Sequence, residues 1–254
     1  MKFLEYIMTL ASFSLKPEKR KLIRIAFGLR NKTGLEIGGP SKFFDLKSYF
    51  PVYVFAKRID GVNYSSETVW EGKIEAGRNY KYGNCKTGFQ FIDEASELEN
   101  VPFKDYDFFL SCHSLEHVAN PLKAIERWSE FLKPGGTLIL VLPDKNFTFD
   151  LNRPYTTFEH LLEDYKNKVS EDDETHFEEV IKLHKIDRDT SIHTVEDLVA
   201  RIQNNISNRC VHHHVFSLEL MEEMATFFNF EVKHKQKASP FHLVMIAEKK
   251  ELKN

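Results

Sequence analysis

The sequence predicts a doubly wound, mostly parallel α/β sheet with a helical lid insertion and a C-terminal antiparallel strand pair. Three observations carry that prediction. Leu35 to Pro40 reads as a buried strand that runs into a paired-glycine turn, the kind of joint at which such sheets receive a ligand. Asp107 to Leu142 reads as strand, helix and strand, closed by a continuously apolar run from Thr137 to Leu142, as a parallel strand buried on both faces requires. Near the end, the amphipathic stretch Leu218 to Phe228 precedes Phe230 to Lys233 and Leu243 to Glu248, which read as an antiparallel pair.

The elements follow in order. Phe3, Leu4, Ile7, Met8 and Ala11 recur at helical spacing within Met1 to Leu15, which predicts an amphipathic helix packed on the domain or used in a dimer contact. Glu5 interrupts this run and the basic residues follow it, so it does not read as a signal peptide. The expected division is an N-terminal helical segment over residues 1–33 and one domain over 34–254, with 144–208 as the lid or substrate insertion. In the glycine turn, Glu36 stands beside Gly38 and Gly39. A carboxylate there repels phosphate and attracts ammonium or sulfonium, which favours a cationic adenosyl ligand such as S-adenosylmethionine over a dinucleotide.

Pro51 to Phe55 reads as the next strand, with Asp60 in the loop beyond it, 22 residues after Gly38. That spacing suits either a ribose contact or a plain Asp-Gly turn. Phe89 to Ile92 reads as a short strand, and Asp93 to Ser96 as a polar loop that either meets an adenine ring or caps a helix. Asn120 and Pro121 mark a helix start, Leu122, Ile125, Trp128 and Leu132 mark its face, and Lys133 to Gly136 its end. The insertion shows helical segments around Glu159 to Lys168 and Val195 to Asn204. Between them the acidic run Glu171 to His176 reads as a solvated surface.

Composition bounds the partners. A formal charge of −3 and a pI near 6.4 give no footprint for nucleic acid or an anionic membrane, so a small soluble substrate is expected. No run of 18 apolar residues is present to span a bilayer. Cys85, Cys112 and Cys210 stand apart from one another, which fits a reducing, cytoplasmic setting.

Taken together, Leu-Glu-Ile-Gly-Gly-Pro, Asp60, Glu94-Ala95, Tyr106 to His117 and Leu-Lys-Pro-Gly-Gly-Thr-Leu from Leu132 resemble, in order, the motifs of class I S-adenosylmethionine-dependent methyltransferases of type 11. Thr148 to Asp150, Arg153-Pro154, Glu159-His160 and His212 to His214 resemble a bacterial subgroup associated with capsule and other surface-polysaccharide synthesis. The resemblance implies that Glu36 holds the methionine ammonium and that Gly38 and Gly39 admit the cofactor backbone. It further implies that Asp60 binds the ribose, that Glu94 and Ala95 bind the adenine, and that Ser111, Cys112 and His113 face the methionine end. Ser41-Lys42-Phe43 stands where the family carries a third glycine.

A hydroxyl acceptor needs a base, and histidine suits that task because its ordinary pKa is near 6.5. His113 and His117 are the first candidates, with His214 beside them. Asp150, Arg153, His160, His212 and His213 are expected to contact an acidic or phosphorylated acceptor. In an extended segment His212 and His214 would share one face and His213 the other. No residue is assigned as a metal ligand, although His212 to His214 with Asp150 offer suitable atoms. Two rival readings stand beside this one. His113-Ser-Leu-Glu116-His117 matches an inverted zinc-peptidase signature, and the fold could also serve as a non-catalytic cofactor-binding module.

Overall fold

The computed structural model describes residues 17–251. The amphipathic helix expected over Met1 to Leu15 lies outside them. In chain order the strands are β1 (Thr33–Ile37), β2 (Arg58–Asn63), β3 (Glu67–Thr68), β4 (Gly72–Lys73), β5 (Gly77–Tyr82), β6 (Lys86–Ile92), β7 (Tyr106–Cys112), β8 (Leu132–Pro143), β9 (Phe230–Ala238) and β10 (His242–Lys249). Eight of them form one sheet in the order β5-β6-β2-β1-β7-β8-β10-β9. The run from β6 to β8 is parallel. β10 returns antiparallel between β8 and β9, and β5 pairs antiparallel on the far edge. β3 and β4 make a separate hairpin.

Alternation along the central strands shows why both faces of the sheet are covered. Phe109 of β7 packs with Trp128 of helix Pro121–Phe131 and with Met221 and Met224 of helix Leu218–Phe227. Its neighbours Phe108 and Leu110 face the opposite layer, with Leu22 and Ala26 of helix Pro17–Gly28. β8 divides likewise: Leu138, Leu140 and Leu142 go to one side, Ile139 and Val141 to the other. An apolar residue at every position is what a strand sandwiched between two helical layers demands. The insertion adds a small cluster of its own from Val180, Ile192, Leu198, Ile202 and Val211.

Local signals place the helix before β8 as expected. The Asn120 side chain accepts from the Lys123 amide, and Pro121 occupies the first turn. Helix ends Phe158–Asn167 and Val195–Gln203 are likewise capped by Thr157 and Thr194. Three expectations need correction. Pro51 to Phe55 is not a strand; Val52–Phe55 is a short helix and β2 begins at Arg58. Asp60 therefore lies inside β2 instead of in the loop beyond it. Leu132 to Gly136 is part of β8, with a register shift opposite Tyr106 and Phe108, so the helix stops at Phe131. Among the described residues no helix is long and apolar enough to cross a membrane.

Candidate active site

The carboxyl ends of β1, β2, β6, β7 and β8 surround a cavity of about 900 Å³, within the range of about 300–1,000 Å³ common for ligand pockets. Strand order reverses between β1 and β7, and such a switch point is where open parallel sheets bind ligands. Gly38 forms the floor with φ of 72°, and a Cβ added to it would meet the Ser114 hydroxyl at 2.1 Å. Only glycine satisfies both the left-handed backbone and that approach. Ser114 in turn donates to the Ile37 carbonyl at 3.0 Å, which ties the end of β7 to the end of β1.

Glu36 does not line this cavity. Alternation along β1 turns it away from Leu35 and Ile37 into the opposite layer, where it is fully buried. The Tyr53 hydroxyl donates between its two oxygens at 2.8 and 2.7 Å, Tyr80 donates at 2.8 Å, and the Ser41 amide donates at 3.0 Å. Burial raises its pKa to about 7 against those hydrogen bonds. The expectation that Glu36 grips the cofactor ammonium is thus corrected: it clasps the glycine turn from beneath. Gly39 belongs to the same clasp, since a Cβ there would lie 2.3 Å from the Tyr80 hydroxyl and 2.4 Å from the Glu36 carboxyl carbon. Gly39→Ala is expected to lower stability by about 1–3 kcal/mol, the usual cost of overpacking, as read from a thermal melt.

Asp60 is also corrected. It is fully buried, accepts from the Phe89 amide and the Tyr106 hydroxyl, and pairs with Arg58 at 3.1 Å. The polar groups at the end of β2 are instead Asn63 and Tyr64, both on the cavity wall, and Asn63 donates to the Gly39 carbonyl at 3.1 Å. Asp93, Glu94 and Ala95 line the cavity. The Trp128 indole donates to the Ala95 carbonyl at 2.7 Å, and Arg209 pairs with Glu94 at 2.6 Å. At the end of β7, Cys112 and His113 reach the cavity, whereas Ser111 is buried away from it.

His113 has φ of 53°, a left-handed conformation uncommon for non-glycine residues but one that histidine adopts more often than most. Its Nε2 lies 2.9 Å from Nδ1 of His242, and burial followed by His242 pushes its pKa down to about 3. Beside it stand Glu116, His117 and His212. Nδ1 of His117 is 3.1 Å from the Val211 carbonyl, which can only accept, so the proton sits there and Nε2 keeps its lone pair. Nδ1 of His212 is 2.5 Å from Asp150. Burial opposes charge on His212, but Asp150 outweighs it and raises the pKa, while Asp150 is drawn down to about 2. Both oxygens of Glu116 are buried without a hydrogen-bond partner, and burial lifts this carboxyl to about 7.

Several expected substrate contacts lie elsewhere. Arg153 is buried away from the cavity lining, and four of its five donors go to Glu179, Asp150 and the carbonyls of His212 and His213. Asp150 is occupied by His212 and Arg153. His160, His213 and His214 lie off the cavity, and the shared face expected for His212 and His214 is not formed. The acidic run is also only partly solvated: Glu171 reaches the cavity, pairs with Arg209 at 2.5 Å and is raised to about 7 by burial. Arg209, Trp70 and Phe149 were invisible as site residues because distant packing brings them there. Glu116 was legible only inside the peptidase signature. That signature lacks its helix, because His113 closes β7 and Glu116 and His117 sit in a short 3-10 turn.

Gly38, Asn63, Asp93 and Ala95 share the cavity lining and are the groups that could hold an adenosyl ligand. Residues 46–140 match the profile of a family described as "Methyltransferase domain". A solved S-adenosylmethionine-dependent methyltransferase from Mesorhizobium loti shares the fold, with a TM-score of 0.50 and 12% identity over 93% of this chain and 99% of that one. The family match covers residues 46–140, and the solved structure shows a shared fold.

Two curated proteins are similar in part. A highly reducing polyketide synthase of Emericella nidulans is 35% identical over 89 residues, 28% of this chain and 4% of that protein. An uncharacterized protein of Methanocaldococcus jannaschii is 33% identical over 88 residues, 29% of this chain and 43% of its own length. The chain thus spans less than half the length of the curated relatives it matches.

Proposed function

We propose that this chain transfers the methyl group of S-adenosylmethionine to a hydroxyl of a small polar acceptor, with Glu116 as the base. The observation that carries the reading is the Glu116 carboxylate, buried at the cavity wall with both oxygens free of hydrogen bonds. When bound, the cofactor supplies an electrophilic methyl and a thioether leaving group. The chain must then align the acceptor and take its proton. As the new C–O bond forms and the S–CH3 bond breaks, the acceptor proton passes to Glu116. The lone pair on His117 Nε2 is left to accept from a second polar hydrogen of the acceptor, and the His212–Asp150 pair holds positive charge beside the carboxylate. His113, held neutral and bonded to His242, lines the methionine end.

The acceptor we favour is a nucleotide-linked sugar or another phosphorylated precursor of a surface polysaccharide. The likeness of the insertion motifs to that subgroup supports this, as does Arg188 on the cavity wall, which gives one donor to the Asn146 carbonyl and keeps others. Calorimetric titration with S-adenosylhomocysteine, followed by a screen of such acceptors for its release, tests the reading. Failure of the folded chain to bind that product would sink it. Because the base works only when ionised and Glu116 is raised to about 7, the rate is expected to climb as pH rises through about 7 and to fall below it. The Glu116→Gln enzyme should lose that limb.

A further inference from the structure

The geometry points to a zinc site formed by His160, Asp164, His176 and His214, separate from the methyl-transfer cavity. One ligand atom from each of the four lies within 4.8 Å of every other. His160 Nε2 is 3.2 Å from His176 Nε2 and 3.4 Å from Asp164 Oδ2. With zinc–nitrogen bonds of about 2.0–2.1 Å, the edge of a tetrahedron of ligands is about 3.3 Å. The observed separations bracket that edge. Imidazole and carboxylate are both ligands that a tetrahedral zinc ion accepts.

Hydrogen bonding alone leaves this cluster incomplete. Asp164 Oδ2 and His214 Nδ1 are buried and have no hydrogen-bond partner. A buried carboxylate oxygen and a buried ring nitrogen left without partners are costly, and one cation satisfies both. The contact that competes is the one between His214 Nε2 and the Ala119 carbonyl at 3.0 Å. Binding through Nδ1 keeps that Nε2–H bond, the usual second bond of a metal-bound histidine.

Placement gives the site a job. His160 and Asp164 stand one turn apart on helix Phe158–Asn167, which packs on the main core; His176 precedes helix Phe177–Leu183 of the insertion; His214 lies in the irregular segment that also carries His212. One ion therefore ties two parts of the insertion, the helix packed on the main core and the start of helix Phe177–Leu183, to the segment that carries His214. Its ligands sit outside the cavity lining, so the site does not depend on the methyl-transfer reading.

The test is metal analysis of the purified full-length chain after dialysis, beside His176→Ala, Asp164→Asn and, as a control in the other cluster of possible ligands, Glu116→Gln. The expected result is about one zinc ion per chain in the wild type and in Glu116→Gln, and loss of most of it in the other two. Metal-free wild-type protein loaded with cobalt should show the intense visible absorption of a tetrahedral ion, and chelation should lower the melting temperature. This cobalt readout stands even where a variant fails to fold. Wild-type protein that takes up neither metal overturns the proposal. Zinc that persists in His176→Ala and Asp164→Asn but is lost in Glu116→Gln also overturns it, by assigning the ion to Glu116, His117 and His212.

Discussion

Replacing Glu116 with glutamine is expected to lower turnover by about 10²–10⁴-fold, the range that a positioned general base contributes, while product binding stays largely unchanged. Glutamine keeps the shape of the carboxylate but cannot take the acceptor proton. Separate measurement of kcat and of S-adenosylhomocysteine affinity distinguishes this from loss of the cofactor site. Replacement of His113 is expected to cost much less, since burial and His242 keep its pKa near 3 and leave it a poor base at neutral pH. Should His113→Ala abolish turnover while Glu116→Gln spares it, the base assignment would pass to the histidine.

Arg153→Ala is expected to destabilise the fold by about 3–5 kcal/mol, the penalty for leaving a buried charge without its partner. At about 2–4 °C per kcal/mol for a chain of this size, the melting temperature should fall by roughly 10 °C. The loss has a definite source: Asp150 loses a cation at 3.0 Å, and two carbonyls and Glu179 lose their donors. Arg153→Lys should rescue little, because one ammonium cannot reproduce a planar fork with several partners. If Arg153 instead gripped an acceptor phosphate, KM would rise with the melting temperature unchanged.

What the chain revealed before folding was whatever depends on near neighbours. The glycine turn, the capped helix at Asn120 and the continuous apolar run of β8 were all legible, since each reports its own backbone geometry. Pro51 to Phe55 was not, because five apolar residues are too few for periodicity to separate helix from strand. That error moved Asp60 from the interior of β2 to an imagined loop. Glu36 misled for another reason. Its charge was plain, but Tyr53 and Tyr80, which consume its oxygens, are 17 and 44 residues away. Arg153 likewise meets partners 26, 59 and 60 residues distant. Spacing cannot reveal such pairings, and so Glu36, Asp60 and Arg153, which looked like ligand contacts, lie off the cavity and bond to other parts of the chain.

His212, His213 and His214 lie side by side in sequence yet occupy three unlike surroundings. His212 meets Asp150, His213 meets Asn205 at 3.2 Å, and His214 meets Ala119. Because the three side chains are identical, a chain slipped by one residue would still place imidazoles in two of these seats. Repetition thus lowers the energy of a near miss and narrows the gap between the native arrangement and its nearest competitor. The segment is pinned at both ends against that error, where the Val211 amide donates to the Asn205 side chain and the Val215 amide to Thr156. Backbone bonds, these two together with those of Arg153 to the His212 and His213 carbonyls, set which imidazole arrives where.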